Sequence, residues 1–198
     1  CVDRSDGGLL WARRYPRYPV EPVKDPYDIP RQPPSWLNNP ILAVTDPRDG
    51  REKIFVTPLD SPYLFGISAE DGSLLWRYSC HWDESGRRGS GIRLRYLLGI
   101  RDGVLYVSGQ EVIALTTGGK IAWPFEPSIR PVKGMPVGRG LVAADGVYVP
   151  STEGLTRFGL KKPEEGKTFW PWKDGERNAG NLVMVDQALV VAANSFLT

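Results

Sequence analysis

Leu64-Phe65-Gly66-Ile67-Ser68-Ala69-Glu70-Asp71-Gly72-Ser73-Leu74-Leu75-Trp76 is an apolar strand, an Asp-Gly turn, a Leu-Leu pair and a tryptophan. Short hairpin signals stand elsewhere too, at Arg101-Asp102-Gly103 and Ala144-Asp145-Gly146, where Asp-Gly supplies the left-handed turn positions at little steric cost. The weight of the 64–76 stretch comes from repetition. The same pattern stands in Cys1-Val2-Asp3-Arg4-Ser5-Asp6-Gly7-Gly8-Leu9-Leu10-Trp11 and in Val112-Ile113-Ala114-Leu115-Thr116-Thr117-Gly118-Gly119-Lys120-Ile121-Ala122-Trp123. A looser copy runs from Leu155 through an expanded turn to Gly166, then Lys167-Thr168-Phe169-Trp170.

The spacing is regular. Trp76 to Trp123 is 47 residues (123 − 76) and Trp123 to Trp170 is 47 again (170 − 123). Gly72, Gly119 and Gly166 each stand four before their tryptophan, and Trp11 to Trp76 is 65, one period plus an insertion. A strand-only period of this length is the signature of a β-propeller with one four-stranded blade per repeat. A sandwich or barrel would account for the strands but not for the step.

Each period divides into four strands. The first whole one reads as Ile41–Thr45, Lys53–Thr57, Tyr63–Ser68 and Ser73–Tyr78. The next reads as Arg93–Ile100, Val104–Ser108, Val112–Leu115 and Lys120–Pro124, and the third as Gly140–Ala144, Val147–Pro150, Leu155–Leu160 and Lys167–Pro171. A last pair, Asn181–Asp186 and Ala188–Ala193, opens a further blade. The fold expected is therefore all-β: an incomplete propeller arc of about three whole blades plus a half blade at each end. Residues 1–15 end a blade, 16–40 form a proline-rich inter-blade insertion, 41–80, 81–127 and 128–175 are blades, and 176–198 start another. Closed rings usually need 4–8 blades, so residues outside this sequence are expected to complete it. The half blades, with Val183, Val185, Leu189, Val190 and Val191 at one edge, predict that the 198-residue chain self-associates or is only marginally stable.

Composition narrows the function classes. Charges are balanced and interspersed, 25 basic against 23 acidic, which gives no nucleic-acid footprint and no polybasic membrane patch. No apolar run is long enough for a transmembrane helix. Two cysteines, Cys1 and Cys80, make neither a disulfide framework nor a metal or redox pair. Cys1 admits two readings, a lipidated N-terminus or a start in mid-domain, and the repeat phase favours the second.

The pattern Ala/Gly-x₅-Gly-x₃-Trp resembles the tryptophan-docking repeat of the PQQ-binding-like (quinoprotein) family, over nearly the whole chain. The resemblance implies that Trp11, Trp76, Trp123 and Trp170, with Gly72, Gly119 and Gly166, are structural, each tryptophan packing between blades near its neighbour's turn. It does not bring chemistry with it. Dehydrogenases of the family hold PQQ under a vicinal Cys-Cys disulfide beside a calcium, and this sequence has no Cys-Cys pair and no acidic set that maps onto the calcium ligands. Many members bind no quinone and serve as scaffolds. The expected function is accordingly a non-catalytic protein-interaction or scaffold domain of an exported bacterial protein, without catalytic residues, cofactor or metal. The rival readings are part of a PQQ-dependent dehydrogenase whose PQQ and calcium site lies on other blades, and carbohydrate or small-ligand binding at the funnel.

Four segments carry residue types that a site could use. His81, the only histidine, lies in Cys80-His81-Trp82-Asp83-Glu84 without a triad partner and reads as a loop residue. Asp46-Pro47-Arg48-Asp49-Gly50-Arg51-Glu52 lacks a full calcium series and reads as a solvated hairpin turn. Gly86-Arg87-Arg88-Gly89-Ser90-Gly91 is basic and glycine-rich, but no Lys-Ser/Thr and no helix follow it, so it reads as an inter-blade loop. Tyr15 to Pro40 carries eight prolines among Tyr15, Tyr18, Tyr27 and Trp36, and reads as an irregular excursion covering an edge or lining a site.

Overall fold

The structure is a computed structural model and describes residues 1–17, 39–58, 61–80, 94–123, 129–134, 136–160, 167–171, 180–186 and 188–192. All regular structure among them is strand. The first sheet is a meander of β1 (Leu42–Thr45), β2 (Glu52–Val56), β3 (Tyr63–Ser68) and β4 (Leu74–Ser79). The second contains β5 (Leu94–Arg101), β6 (Val104–Gly109), β7 (Glu111–Thr116) and β8 (Ile129–Pro131). The third contains β9 (Leu141–Val142), β10 (Val147–Ser151), β11 (Gly154–Phe158) and β12 (Lys167–Pro171). A two-stranded sheet of β13 (Asn181–Val185) and β14 (Ala188–Ala192) follows.

Every pairing is antiparallel between sequence neighbours. The opening strands of successive sheets are themselves neighbours: β1 lies beside β5, β5 beside β9 and β9 beside β13. Consecutive meanders whose first strands share one side form a β-propeller arc, with the last strand of each sheet on the outer rim.

The middle sheet shows why the strands read as apolar runs. Along β7 the side chains alternate faces. Ile113 and Leu115 pack with Phe55, Leu64, Leu97 and Val107 on the first-sheet side, whereas Val112 and Ala114 join Tyr106, Val147, Val149 and Phe158 on the other. A blade is covered on both faces by its neighbours, so both sets must be apolar. Full burial of one such aliphatic side chain contributes about 1.5–3 kcal/mol, which makes these two seams the main stabilising element.

One strand departs from the sequence reading. Of the strand read as Lys120–Pro124, the described residues make a single bridge, Leu115 to Ile121, extended by bonds from Thr116 N to Lys120 O and from Ala122 N to Ala114 O. The ladder then resumes at Ile129–Pro131, which pairs with Glu111–Ile113 although the sequence division at 127/128 assigns it to the following blade. Pro124, which stands in the sequence between the two paired stretches, has no N–H to give to a ladder. The first strand of the third sheet is also shorter than read, Leu141–Val142 only.

Candidate interaction surface

Residues 1–11 form the same hairpin as residues 66–76. Asp3 N donates to Gly8 O at 2.8 Å and Gly7 N to Asp3 O at 2.9 Å. Their counterparts 65 residues on, Ser68 N to Ser73 O and Gly72 N to Ser68 O, are 2.9 and 3.0 Å. From each hairpin the tryptophan reaches the next sheet. Trp11 Nε1 donates to Ala69 O at 2.8 Å and Trp76 Nε1 to Thr117 O at 2.9 Å. The rings lie over the turn glycines. A Cβ on Gly119, whose φ is +79°, would sit 2.5 Å from the Trp76 ring, and one on Gly72 would sit 2.5 Å from Trp11. Only glycine allows both that backbone and that approach.

Trp123 is buried, 6.3 Å from the Tyr106 ring between centroids, and its Nε1 has no hydrogen-bond partner among the described residues. Gly166 lies outside the described residues. Trp170 belongs to β12, where it pairs with Leu155.

Beside the Trp76 contact stands a polar clamp that the sequence did not reveal. Asp46, read as part of a solvated turn, is 2 % exposed. Its Oδ2 accepts from Lys53 Nζ and from Thr117 Oγ1, both at 2.5 Å, and its Oδ1 accepts from Arg48 N at 2.9 Å. Lys53 also reaches Asp49 at 2.8 Å. The bonds from Lys53, Thr117 and Arg48 outweigh burial and hold the Asp46 carboxyl far below the usual range. Burial pulls the Lys53 ammonium down, but its bonds to Asp46 and Asp49 leave it raised. Thr117 thus accepts the Trp76 indole through its carbonyl and donates to Asp46 through its hydroxyl, tying two blades at one residue. The turn itself is a hairpin turn as read, closed by Asp46 N to Arg51 O and Gly50 N to Asp46 O, both 2.8 Å. The correction concerns its first residue alone.

Above the clamp opens a cleft of about 760 Å³ whose walls include Glu52, Lys53, Asp71, Leu75, Trp76 and Thr117. The Ser73 backbone N–H and the hydroxyls of Ser73 and Ser68 hold Asp71 down to about 2. The residues that precede Trp11, Trp76 and Trp123 are exposed. Leu9 and Leu10 are 71 and 58 % exposed, Leu74 and Leu75 are 38 and 43 %, and Ile121 is 46 %. The repeat therefore places large apolar side chains in water at the same position of three successive outer hairpins. A smaller groove of about 450 Å³ lies between β1 and the β5–β6 turn, lined by Leu42, Val44, Pro47 and Ile100.

His81 and Gly86-Arg87-Arg88-Gly89-Ser90-Gly91 fall outside the described residues. Of the proline-rich segment only the ends are described, and both are anchored. The Tyr15 ring lies 5.9 Å from Phe65, Pro16 O accepts from Ser61 Oγ at 2.6 Å, and Asn39 Nδ2 donates to Thr57 O and Arg95 O. Cys1 is exposed and Cys80 buried, the Cys80 Sγ lying 3.9 Å from Tyr78 O. Among the described residues no group of three or more His, Cys, Asp or Glu is placed to hold a metal, and no helix is long and apolar enough to cross a membrane.

Antiparallel four-stranded meanders with tryptophans docked from blade to blade define the chain as β-propeller in fold. It is similar to the crystal structure of BamB from Moraxella catarrhalis, with a TM-score of 0.61 and 16% identity. The match covers 97% of this chain and 51% of that one, so this chain spans about half the length of its structural neighbour. No family model and no curated protein matches the sequence.

Proposed function

We propose that this chain is a protein-interaction or scaffold part of an exported bacterial β-propeller of the PQQ-like kind, and that it engages protein partners through its outer rim. The observation that carries the reading is the repeated exposure of Leu9, Leu10, Leu74, Leu75 and Ile121. Scattered apolar residues on a surface need no explanation, but exposure repeated at one position of successive repeats marks a contact surface. The likeness in fold to BamB supports the same reading.

The test places a photoreactive side chain at the exposed Arg77 and irradiates the producing cells. A discrete protein adduct should form and should be lost when Leu74→Glu and Leu75→Glu are introduced, with the circular dichroism unchanged. No adduct, or one indifferent to the two glutamates, overturns the rim as the binding surface.

A further inference from the structure

We propose that the seam between the first and second sheets binds one buried water molecule at the end of β2, held by the Thr57 hydroxyl. The polar clamp engages β2 near its start, at Lys53. Thr57 follows the last residue of the strand and is 6 % exposed. Its carbonyl accepts from Asn39 Nδ2 at 2.9 Å, but its Oγ1 is buried without a hydrogen-bond partner among the described residues. Such a hydroxyl has lost its hydration with nothing in return, at a site where a valine of the same shape would fit.

Beside it lies a cavity of about 10 Å³, whose walls include Thr57, Pro58, Ser61, Cys80 and Leu94. That is room for one water and for nothing larger. The walls are polar enough to hold it. Thr57 Oγ1 has a proton to donate, and Ser61 Oγ, whose own proton goes to Pro16 O at 2.6 Å, keeps a lone pair to accept one. Pro58 O accepts from Ser61 N and Cys80 O from Leu94 N, so each carbonyl retains a second lone pair. No carboxylate stands among the described walls, and the site suits a neutral occupant. The next sheet repeats the position. Ser108 stands two residues beyond Tyr106, as Thr57 stands two beyond Phe55, and its Oγ is likewise buried and unpartnered among the described residues. A hydroxyl without a protein partner thus recurs at one register position instead of falling at random. The water ties the end of β2 to the Ser61 turn on which Pro16 rests, at the end of the strand away from the Asp46 clamp.

Oxygen-17 relaxation dispersion of the purified protein counts the waters held for longer than molecular tumbling. Thr57→Val should lower that count by one and lower the urea midpoint of unfolding. Thr57→Ser, which keeps the hydroxyl, should leave the count unchanged. A crystal structure of the unaltered protein should show solvent density within about 3.2 Å of both Thr57 Oγ1 and Ser61 Oγ. An unchanged count in Thr57→Val overturns the proposal, because the hydroxyl then holds no water. A raised midpoint in that variant overturns it too, because the hydroxyl is then buried unpaired. Loss of the water from Thr57→Ser, or no solvent density at the cavity, also overturns it.

Discussion

The two seams of the arc are closed by different means. Between the first and second sheets, Trp76 is half-buried, its indole is hydrogen-bonded to Thr117 O, and the Asp46–Lys53–Thr117 clamp lies alongside. Between the second and third sheets, Trp123 is 4 % exposed within a cluster of Tyr96, Tyr106, Val147, Val149 and Phe158, and its N–H is unpaired among the described residues. The same repeat position therefore carries a half-buried, hydrogen-bonded ring in one place and a ring buried in an apolar cluster in the other. The motif fixes where the ring goes.

Truncation of the two rings should give the largest losses. Trp123→Ala removes a buried ring and should cost about 4 kcal/mol, whereas Trp76→Ala, with part of its ring in solvent, should cost about 3 kcal/mol. Urea unfolding midpoints check the order, and a cheaper Trp123→Ala would break the contrast. The turn side gives the next effect. Gly119→Ala combines a left-handed backbone with overlap on the Trp76 ring, and should cost about 3 kcal/mol. Gly50→Ala has a similar φ of +68° but nothing within 4 Å of the new Cβ, so about 1 kcal/mol is expected. Equal costs would mean that the ring does not lie on the turn.

The strands were legible because their residues carry the signal locally. Tyr63–Ser68 and Lys167–Pro171 were read with their observed bounds, since Gly or Pro punctuates each period. The misread outer strand of the second sheet failed because the ladder is interrupted and resumed, and local propensity does not report a break that tertiary pairing repairs. The clamp was illegible for another reason. Asp46 and Thr117 are 71 residues apart (117 − 46), and an Asp followed by Pro-Arg-Asp-Gly has the composition of a turn in water whether or not a lysine covers it. Burial of a charge is a property of the seam, not of the segment.

Asp46→Asn should cost about 2 kcal/mol, since the buried Lys53 loses one partner but keeps Asp49, and the network borders an open cleft. The Asp46 carboxyl is held below its unfolded value. Its contribution is therefore complete above the ordinary carboxylate range, and is lost as pH falls through about 4 toward the lowered folded value. Asp46→Asn should flatten that part of the stability–pH curve. An unchanged acid limb would place the acid sensitivity elsewhere.

The smallest effects are expected outside the seams. Leu74→Ser on the exposed rim should change stability by no more than about 0.5 kcal/mol while weakening partner contact. Addition of PQQ and calcium to the purified chain should give no dye-linked alcohol or sugar oxidation. Stoichiometric PQQ binding would contradict the scaffold reading.

Blade-to-blade docking is tested most directly by a double-mutant cycle on Asp46→Asn and Thr117→Val, two residues joined only if the first and second sheets meet as described. The account predicts that the double variant loses less stability than the sum of the single losses, with a coupling of about 1–2 kcal/mol, as for a hydrogen bond to a charged group. Losses that add to within about 0.3 kcal/mol would contradict it, because side chains that do not touch show no coupling.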